Sequence, residues 1–392
     1  MQTITDNIFE NTEIAYKRLS NNELKKSFFL FSLMKNATLV HFGNQILQFL
    51  LKINFPILGI VKKTIYSHFC GGETLDESQK TILDLSKNNI DTLLNYSVEG
   101  LENTDSFKET YHKTLEAIDF AKLNQSIRAI CIKFTGFARI DIWIKLQKGE
   151  TLSNNEEEEY QKALDYIQHL SQKAVENNVQ LYIDAEESWF QDSIDKVALD
   201  LMLQYNKEKA IIFNTYQLYR SDKLEHLKRD IQWAIANQVQ LGAKIVRGAY
   251  VEKENEYARK HQLNSPIHKT KQDTDQDFNK AIEYCIHNIN YVSLCCASHN
   301  EFSNQLLIKL LQKNNITLDH PNISASQLQG MSDNITYNMS KMGIKMSKYL
   351  PYGPVKEVIP YLIRRSQENT SVEGQTSREY DLLLQEKNRR RL

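Results

Sequence analysis

The sequence predicts an α/β fold, a distorted (β/α)8 barrel of the TIM type with an N-terminal helical region in front of it. Two observations carry this. Short β-rich runs recur at eight places after residue 85, with helical stretches between them, as expected when parallel strands are joined by crossover helices. Residues 1–85 show no strand alternation and read as helices that close at the Gly71-Gly72 turn.

The strand candidates, in order, are Ile90–Val98, Arg128–Phe134, Gln180–Ala185, Ala210–Asn214, Ala243–Ala249, Tyr291–Ala297, Ile323–Gln327 and Lys345–Leu350. Glu156–Asn177, Glu225–Asn237 and Phe278–Ile289 carry the helical pattern between them. Ser153 and the acidic run Glu156–Glu159 read as the start of a helix whose first turn is stabilised by the macrodipole, with no functional role. After the last strand come the turn Pro351-Tyr352-Gly353-Pro354 and a helix whose Val355, Val358, Ile359, Leu362 and Ile363 form an apolar stripe. Pro360 inside that stripe removes a helix hydrogen bond and predicts a kink or a restart. The expected division is therefore a helical region over 1–85, a barrel over 86–370 and a polar, basic tail over 371–392. Arg389, Arg390 and Arg391 in that tail are expected to be solvated, with attraction to anionic lipid as the alternative.

Composition narrows the class. With 392 residues and 41% hydrophobic content, the chain can bury a large core. A formal net charge of −1 offers nothing to a nucleic acid. The five cysteines include no CxxC pair, so neither a disulfide framework nor a zinc site is expected, and a reducing compartment fits. The first residues are acidic and polar where a secretory signal is basic then apolar and a mitochondrial leader is Arg-rich, which implies a cytoplasmic protein. The most apolar stretch, Leu39–Val61, is broken by His41, Asn44, Gln45, Gln48, Lys52 and Asn54. It reads as one or two amphipathic helices interrupted at Pro56, too polar to span a bilayer.

In barrels of this type the active site is built at the carboxyl ends of the strands. The predicted strands bring Lys133, Asp184 with Glu186, Gln217, Arg247 with Tyr250, His299 with Asn300, and Tyr349 to one mouth. Asp184 and Glu186, at i and i+2, are expected to share a face. With Lys133, Arg364 and Arg365 converging on the same mouth, Asp184 is expected to be an ion-pair partner with an orienting role. His299 has no second histidine at metal-binding spacing, so no metal is expected. In the last helix Arg364 and Glu368 stand one turn apart with Arg365 beside them. Two guanidiniums and a carboxylate suit a small zwitterion, although an isolated RRxxE is more often a solvated pair worth a few tenths of a kcal/mol. Neither GxGxxG nor GxxxxGK[ST] occurs, so a Rossmann dinucleotide site and a P-loop are unsupported.

The segment KYLPYGPVKEVIPYLIRRSQEN (Lys348 to Asn369) resembles the C-terminal signature of the proline dehydrogenase family. CIKFTG from Cys131, YIDAEES from Tyr182, NTYQLY from Asn214, GAKIVRGAYVEKE from Gly242, SHNE from Ser298 and QLQGM from Gln327 follow the family's order. The resemblance runs from about Thr92 to Asn369. It implies the single-function form, since no aldehyde dehydrogenase region follows Leu392 in this sequence. Two departures stand out: Leu94 to Gly100 has asparagine where the family commonly has aspartate, and Phe134 and Gly136-Phe137 alter the context of Lys133.

The resemblance implies FAD held by the barrel itself at Gln217, Lys244, Arg247, Ala249, Tyr250, His299 and Asn300. Pattern alone favours Arg247 over Lys244, because three residues along one ideal strand place the two on opposite faces unless a bulge intervenes. The substrate set it implies is Lys133, Arg364 and Arg365 for a carboxylate, Glu368 toward the amine and Tyr349 against the ring. The implied reaction is oxidation of L-proline to Δ1-pyrroline-5-carboxylate, the first step of proline catabolism. Hydride passes to flavin N5 and electrons pass on to a quinone, with peripheral contact at the inner membrane. Two rivals remain: 4-hydroxyproline as substrate, which the Tyr349 hydroxyl would crowd, and a Schiff-base lyase with Lys133 or Lys244 as nucleophile.

Overall fold

The computed structural model describes residues 7–53, 55–98, 103–371 and 375–392; the side chains at 37, 367–371, 375 and 376 lie outside that description. Eight parallel strands close a barrel in chain order: β1 Ile90–Tyr96, β2 Ile127–Ile132, β3 Gln180–Ile183, β4 Ile212–Gln217, β5 Leu241–Val246, β6 Val292–Ala297, β7 Ile323–Leu328 and β8 Met346–Tyr352. Closure runs through β1 and β8, paired from Ile90 with Met346 to Tyr96 with Tyr352. The expected fold class is present.

The two-residue period of the strands sorts their side chains. Leu94, Ile130, Ile132, Leu181 and Ile183 join the helices in the main core, while Leu93, Cys131, Tyr182, Phe213 and Cys295 form a separate cluster with Tyr349 inside the barrel. Strands covered on both faces are apolar almost throughout, which is why periodicity marked their positions better than their ends. The fourth strand shows the error most clearly. Asn206 accepts from Ile211 N and Ile212 N and donates to Ile212 O, so its side chain organises the turn and the strand begins later than expected. Gln217, expected just past a strand ending at Asn214, is consequently the last strand residue.

The N-terminal region is helical, as expected. Ser20 and Glu23 cap the helix Asn21–Met34 reciprocally, and Ala37–Lys52 is followed, past Pro56, by Leu58–Val61. Met34, Val61, Tyr66 and Phe69 pack with Val355, Val358, Tyr361 and Leu362 of the last barrel helix, Val355–Ser371. That helix passes through Pro360 without a restart. Pro360 and Lys356 are both exposed, so the carbonyl that loses its helical donor is on the watery side.

The solvated tail expected over 371–392 is corrected. Gln375–Arg389 is a helix whose Leu382 and Leu383 pack with Ala15, Tyr16, Leu24 and Phe31. Arg390 donates to the carbonyls of Tyr16 and Leu19, both at 2.7 Å, and Arg389 and Arg390 both bond the buried Glu386. Buried carboxylates on an otherwise charged helix disguised the packed face.

A charged cluster ties these layers to the barrel. Lys348 of β8 is wholly buried, with its ammonium 2.8 Å from Asp333 and 2.5 Å from Met331 O; Arg18 holds the other Asp333 oxygen at 2.7 Å. Burial opposes ionisation of Asp333, but Lys348 and Arg18 hold its carboxyl well below the usual carboxylate range. Removing one partner of a buried ionic cluster leaves uncompensated charge. Asp333→Ala should therefore lower unfolding stability by about 3–5 kcal/mol in urea titrations. A loss under about 1 kcal/mol would show that water reaches Lys348 and Arg18.

Candidate active site

A cavity of about 500 Å³ opens at the carboxyl ends of the strands. Lys133, Asp184, Gln217, Lys244, Arg247, Ala249, Tyr250, His299, Asn300, Tyr349, Arg364 and Arg365 all line it. Glu368 lies on the helix Val355–Ser371, and its side chain falls outside the described residues. The barrel explains this convergence, since Lys244 and Tyr349 point inward from β5 and β8 and each of the others ends a strand, follows one, or faces in from the last barrel helix.

At the floor, Lys244 Nζ lies 2.5 Å from Asp184 Oδ1, and Tyr349 Oη donates to Asp184 Oδ2 at 2.7 Å. Asp184 is thus an ion-pair partner, but its direct cation is Lys244 and not Lys133 or the arginines. Burial alone would lower the Lys244 pKa; Asp184 beside it outweighs this and holds it above the usual lysine value. A lysine held as an ammonium is a poor nucleophile, which weighs against the Schiff-base reading at Lys244.

The concern that strand alternation turns Lys244 away from Arg247 is also corrected. β5 ends at Val246, and Gly248 has a φ of +135°, so Arg247 has already left strand geometry and both cations face the cavity. Tyr219 sets the limit there: a Cβ on Gly248 would stand 2.5 Å from its ring.

Glu186 does not share Asp184's setting. Its carboxylate accepts from Thr135 N and Oγ1, while its carbonyl accepts from Gln217 Nε2 at 2.6 Å. Burial pushes the Glu186 carboxyl up to about 7 against the pull of Lys133 and Thr135. β3 ends at Ile183, so the two-residue alternation assumed for this pair has lapsed before Glu186.

Across the mouth, Arg247 donates to Asp275 at 2.7 Å, Ser298 Oγ at 2.7 Å and Ser303 Oγ at 2.9 Å, and stacks over Phe278. These bonds aim the guanidinium without exhausting its donors. His299 Nδ1 lies 2.9 Å from Ser332 Oγ, and burial, with Lys348, Arg365 and Arg247 adding to it, pushes its pKa down to about 3. The imidazole is neutral at physiological pH. Asn300 caps the next helix, Glu301–Lys313, accepting from Ser303 N.

Sequence reasoning missed several lining residues. Tyr361 stands under the Arg365 guanidinium, 5.2 Å from its carbon, a contact its i, i+4 spacing before Arg365 signalled. Arg378, paired with Glu301 at 2.8 Å, reaches the cavity from the segment expected to be a tail. Lys271 also lines the wall and pairs with Asp275 at 2.8 Å. No local pattern marked either cation. Among the described residues, seven cations but only the carboxylates of Asp184 and Glu301 line the cavity. The field inside therefore favours anionic ligands. One further cluster, Asp192, Asp195 and His226, has metal-like spacing, but Lys223 Nζ sits 2.7 Å from Asp195 and fills the place of a cation.

Known proteins match this arrangement along most of the chain. The family profile described as "Proline dehydrogenase" matches residues 78–378. "Proline dehydrogenase 1, mitochondrial" of Dictyostelium discoideum is 30% identical over 97% of this chain and 75% of its own length. "Carbapenem antibiotics biosynthesis protein CarD" of Pectobacterium carotovorum is 31% identical over 84% of this chain and 85% of its own. The crystal structure of proline utilization A from Bdellovibrio bacteriovorus superposes with a TM-score of 0.74 at 20% identity. It covers 98% of this chain, which in turn spans 44% of that longer one, and at this identity the likeness speaks for the fold. A family profile over three quarters of the sequence, on a barrel whose strand ends gather the quoted motifs, has one meaning: the chain belongs to the proline dehydrogenase family.

Proposed function

We propose that this enzyme oxidises L-proline to Δ1-pyrroline-5-carboxylate with FAD as its cofactor. The observation that carries the reading is the cavity's excess of cations over carboxylates, seven against two among the described residues, at the mouth of a proline dehydrogenase family barrel. An anionic cofactor and a carboxylate substrate both suit that field. The volume of about 500 Å³ falls in the usual range for small-molecule sites.

The donor set fits a flavin dinucleotide. Arg247, Lys271 and Asn300 would face its pyrophosphate side, while Gln217 and Lys244 would meet the ring system. When bound, the flavin supplies the two-electron acceptor for hydride from the ring carbon next to the proline nitrogen. The protein's own part is binding and orientation. Arg364 and Arg365, with Lys133, would receive the proline carboxylate, Glu368 would face the amine, and Tyr349 would close over the ring. Asp184 would hold Tyr349 and Lys244 in place through their shared carboxylate. His299 enters as a neutral hydrogen-bonding group, because burial denies it a proton. The electron acceptor in this reading is a membrane quinone, and the enzyme is cytoplasmic and peripheral to the inner membrane. No helix among the described residues is long and apolar enough to cross a membrane, so such contact would have to be made at the surface.

Hydroxyproline as substrate is the second reading, and Tyr349 is the observation that separates the two. Its hydroxyl is bound to Asp184 at 2.7 Å and cannot turn away from a 4-hydroxyl without breaking that bond.

Three experiments test the assignment. Arg365→Met should raise KM for proline by roughly ten- to a hundredfold, the loss of about 1.5–3 kcal/mol from a charge-assisted bond, with flavin content near wild type. An unaltered kcat/KM would remove Arg365 from the substrate site. Arg247→Ala should lose flavin on dialysis faster than wild type; full retention would rule out its pyrophosphate role. Tyr349→Ser should narrow the preference for proline over 4-hydroxyproline by about tenfold or more in dye-linked kinetics. Tyr349→Phe, which keeps the ring but loses the hydroxyl that Asp184 holds in place, should narrow that preference too, by less than the serine variant. Parallel loss of both activities in the serine variant would assign Tyr349 to the barrel rim.

A further inference from the structure

Large apolar side chains are exposed in one stretch of the chain above all. On the helix Ala37–Lys52 and just past it, Leu39, Phe42, Ile46, Phe49 and Ile53 recur at i, i+3, i+7, i+10 and i+14, a single stripe on one face. Each is more than 40% exposed, and Phe42 and Phe49 are 60% exposed. The helix already spends its other face: Val40 and Leu47 pack toward Tyr361 and Leu362 of the last barrel helix, and Asn44 bonds Ser366 at 3.0 Å. The stripe is therefore surplus to folding.

It also extends beyond one helix. Phe29 and Leu33, one turn apart on Asn21–Met34, are exposed beside it in sequence, as are Phe55 and Ile60 after it. A lone stripe suits a partner helix, whereas apolar side chains presented from successive elements suit a broad, deformable apolar phase. Charge points the same way. Residues 21–72 contain six lysines and one acid, Glu23, in a chain whose net charge is −1. Lys25, Lys26, Lys35, Lys52 and Lys63 are exposed. Phenylalanine, leucine and isoleucine flanked by lysine are what an interfacial helix needs to enter the headgroup region of an anionic bilayer.

We propose that the surface formed by residues 29–60 docks the enzyme peripherally on anionic lipid, with the helix Ala37–Lys52 lying in the interface. The surface is mounted on the same helix that carries Arg364 and Arg365, so docking brings the cavity's outer wall to the membrane. The proposal names where a membrane-borne acceptor would be met, and to that extent rests on the reading of proline oxidation above.

Flotation of the full chain with phosphatidylcholine vesicles, with and without phosphatidylglycerol, tests it. The protein should float with the anionic vesicles, and high salt should weaken binding. The double variant Phe42→Ser/Phe49→Ser should lose at least about tenfold in vesicle affinity, with unchanged circular dichroism and unchanged proline oxidation by a soluble dye. Lys25→Glu/Lys52→Glu should lose the preference for anionic vesicles. Failure of the wild type to float, or equal binding by the phenylalanine variant, overturns the proposal. So does a wild type that self-associates in light scattering without floating while the phenylalanine variant is monomeric, since the surface then covers a second copy. Absence of dye-linked activity in a wild type that floats would instead count against the catalytic reading alone.

Discussion

The pairing of β1 with β8 is the constraint on which the rest of this molecule depends. Seven residues of each strand run in register, from Ile90 with Met346 to Tyr96 with Tyr352, and only this seam turns an open sheet into a barrel. With the seam closed, eight strand ends from distant parts of the chain form one rim. Lys133 and Lys244 then come to face one cavity although more than a hundred residues separate them. The seam also carries the site's own parts. Leu93 pairs with Tyr349, which faces the barrel interior, while its neighbour Lys348 points by strand alternation to the other side and meets Asp333. One strand thus lines the cavity with one residue and anchors the outer layers with the next.

Those outer layers are held by charge as much as by apolar packing. Arg18 from the N-terminal region and Lys348 from β8 share Asp333, and Glu379 of the C-terminal helix accepts from the Ser332 backbone next door. Burial, with Asp333 adding to it, pushes the Glu379 carboxyl up to about 7. Ser332, in a left-handed conformation, bonds His299 in turn. A continuous chain of contacts therefore runs from both termini to a neutral imidazole at the cavity wall. Desolvated charges of this kind cost free energy unless each is paired, so the terminal segments are structurally bound to the barrel.

Inside the cavity the balance of charge is kept by few acids. Asp184 neutralises Lys244 and fixes Tyr349, while Asp275 and Glu301 hold Arg247 and Arg378 from the rim. The arginines of the last helix reach the same space, with Arg365 resting on the Tyr361 ring. Leu93, Val246, Leu328 and Met331 supply apolar lining among these charges. Low polarity around the charges strengthens each interaction made there.

The alternation of β-rich and helical segments determined the barrel, and the motif blocks at the predicted strand ends determined most of the cavity, because local periodicity and strand order alone decide which residues reach the rim. Pattern also announced the break at Pro56 and the buried stripe of the last helix. Tertiary structure decided the partners. Asp184 took Lys244 because β3 and β5 both project into the barrel interior, a relation across sixty residues that no spacing encodes. Gln217 entered the strand because Asn206 organised the preceding turn. Arg247 and Lys244 came to one side because β5 ends between them at Val246. The C-terminal helix Gln375–Arg389 was misread as a tail because its buried face is built of Glu379 and Glu386 as well as leucine: Glu386 pairs locally with Arg389 and Arg390, as a surface carboxylate would, and only the fold brings Tyr16 and the Ser332 backbone to Glu379.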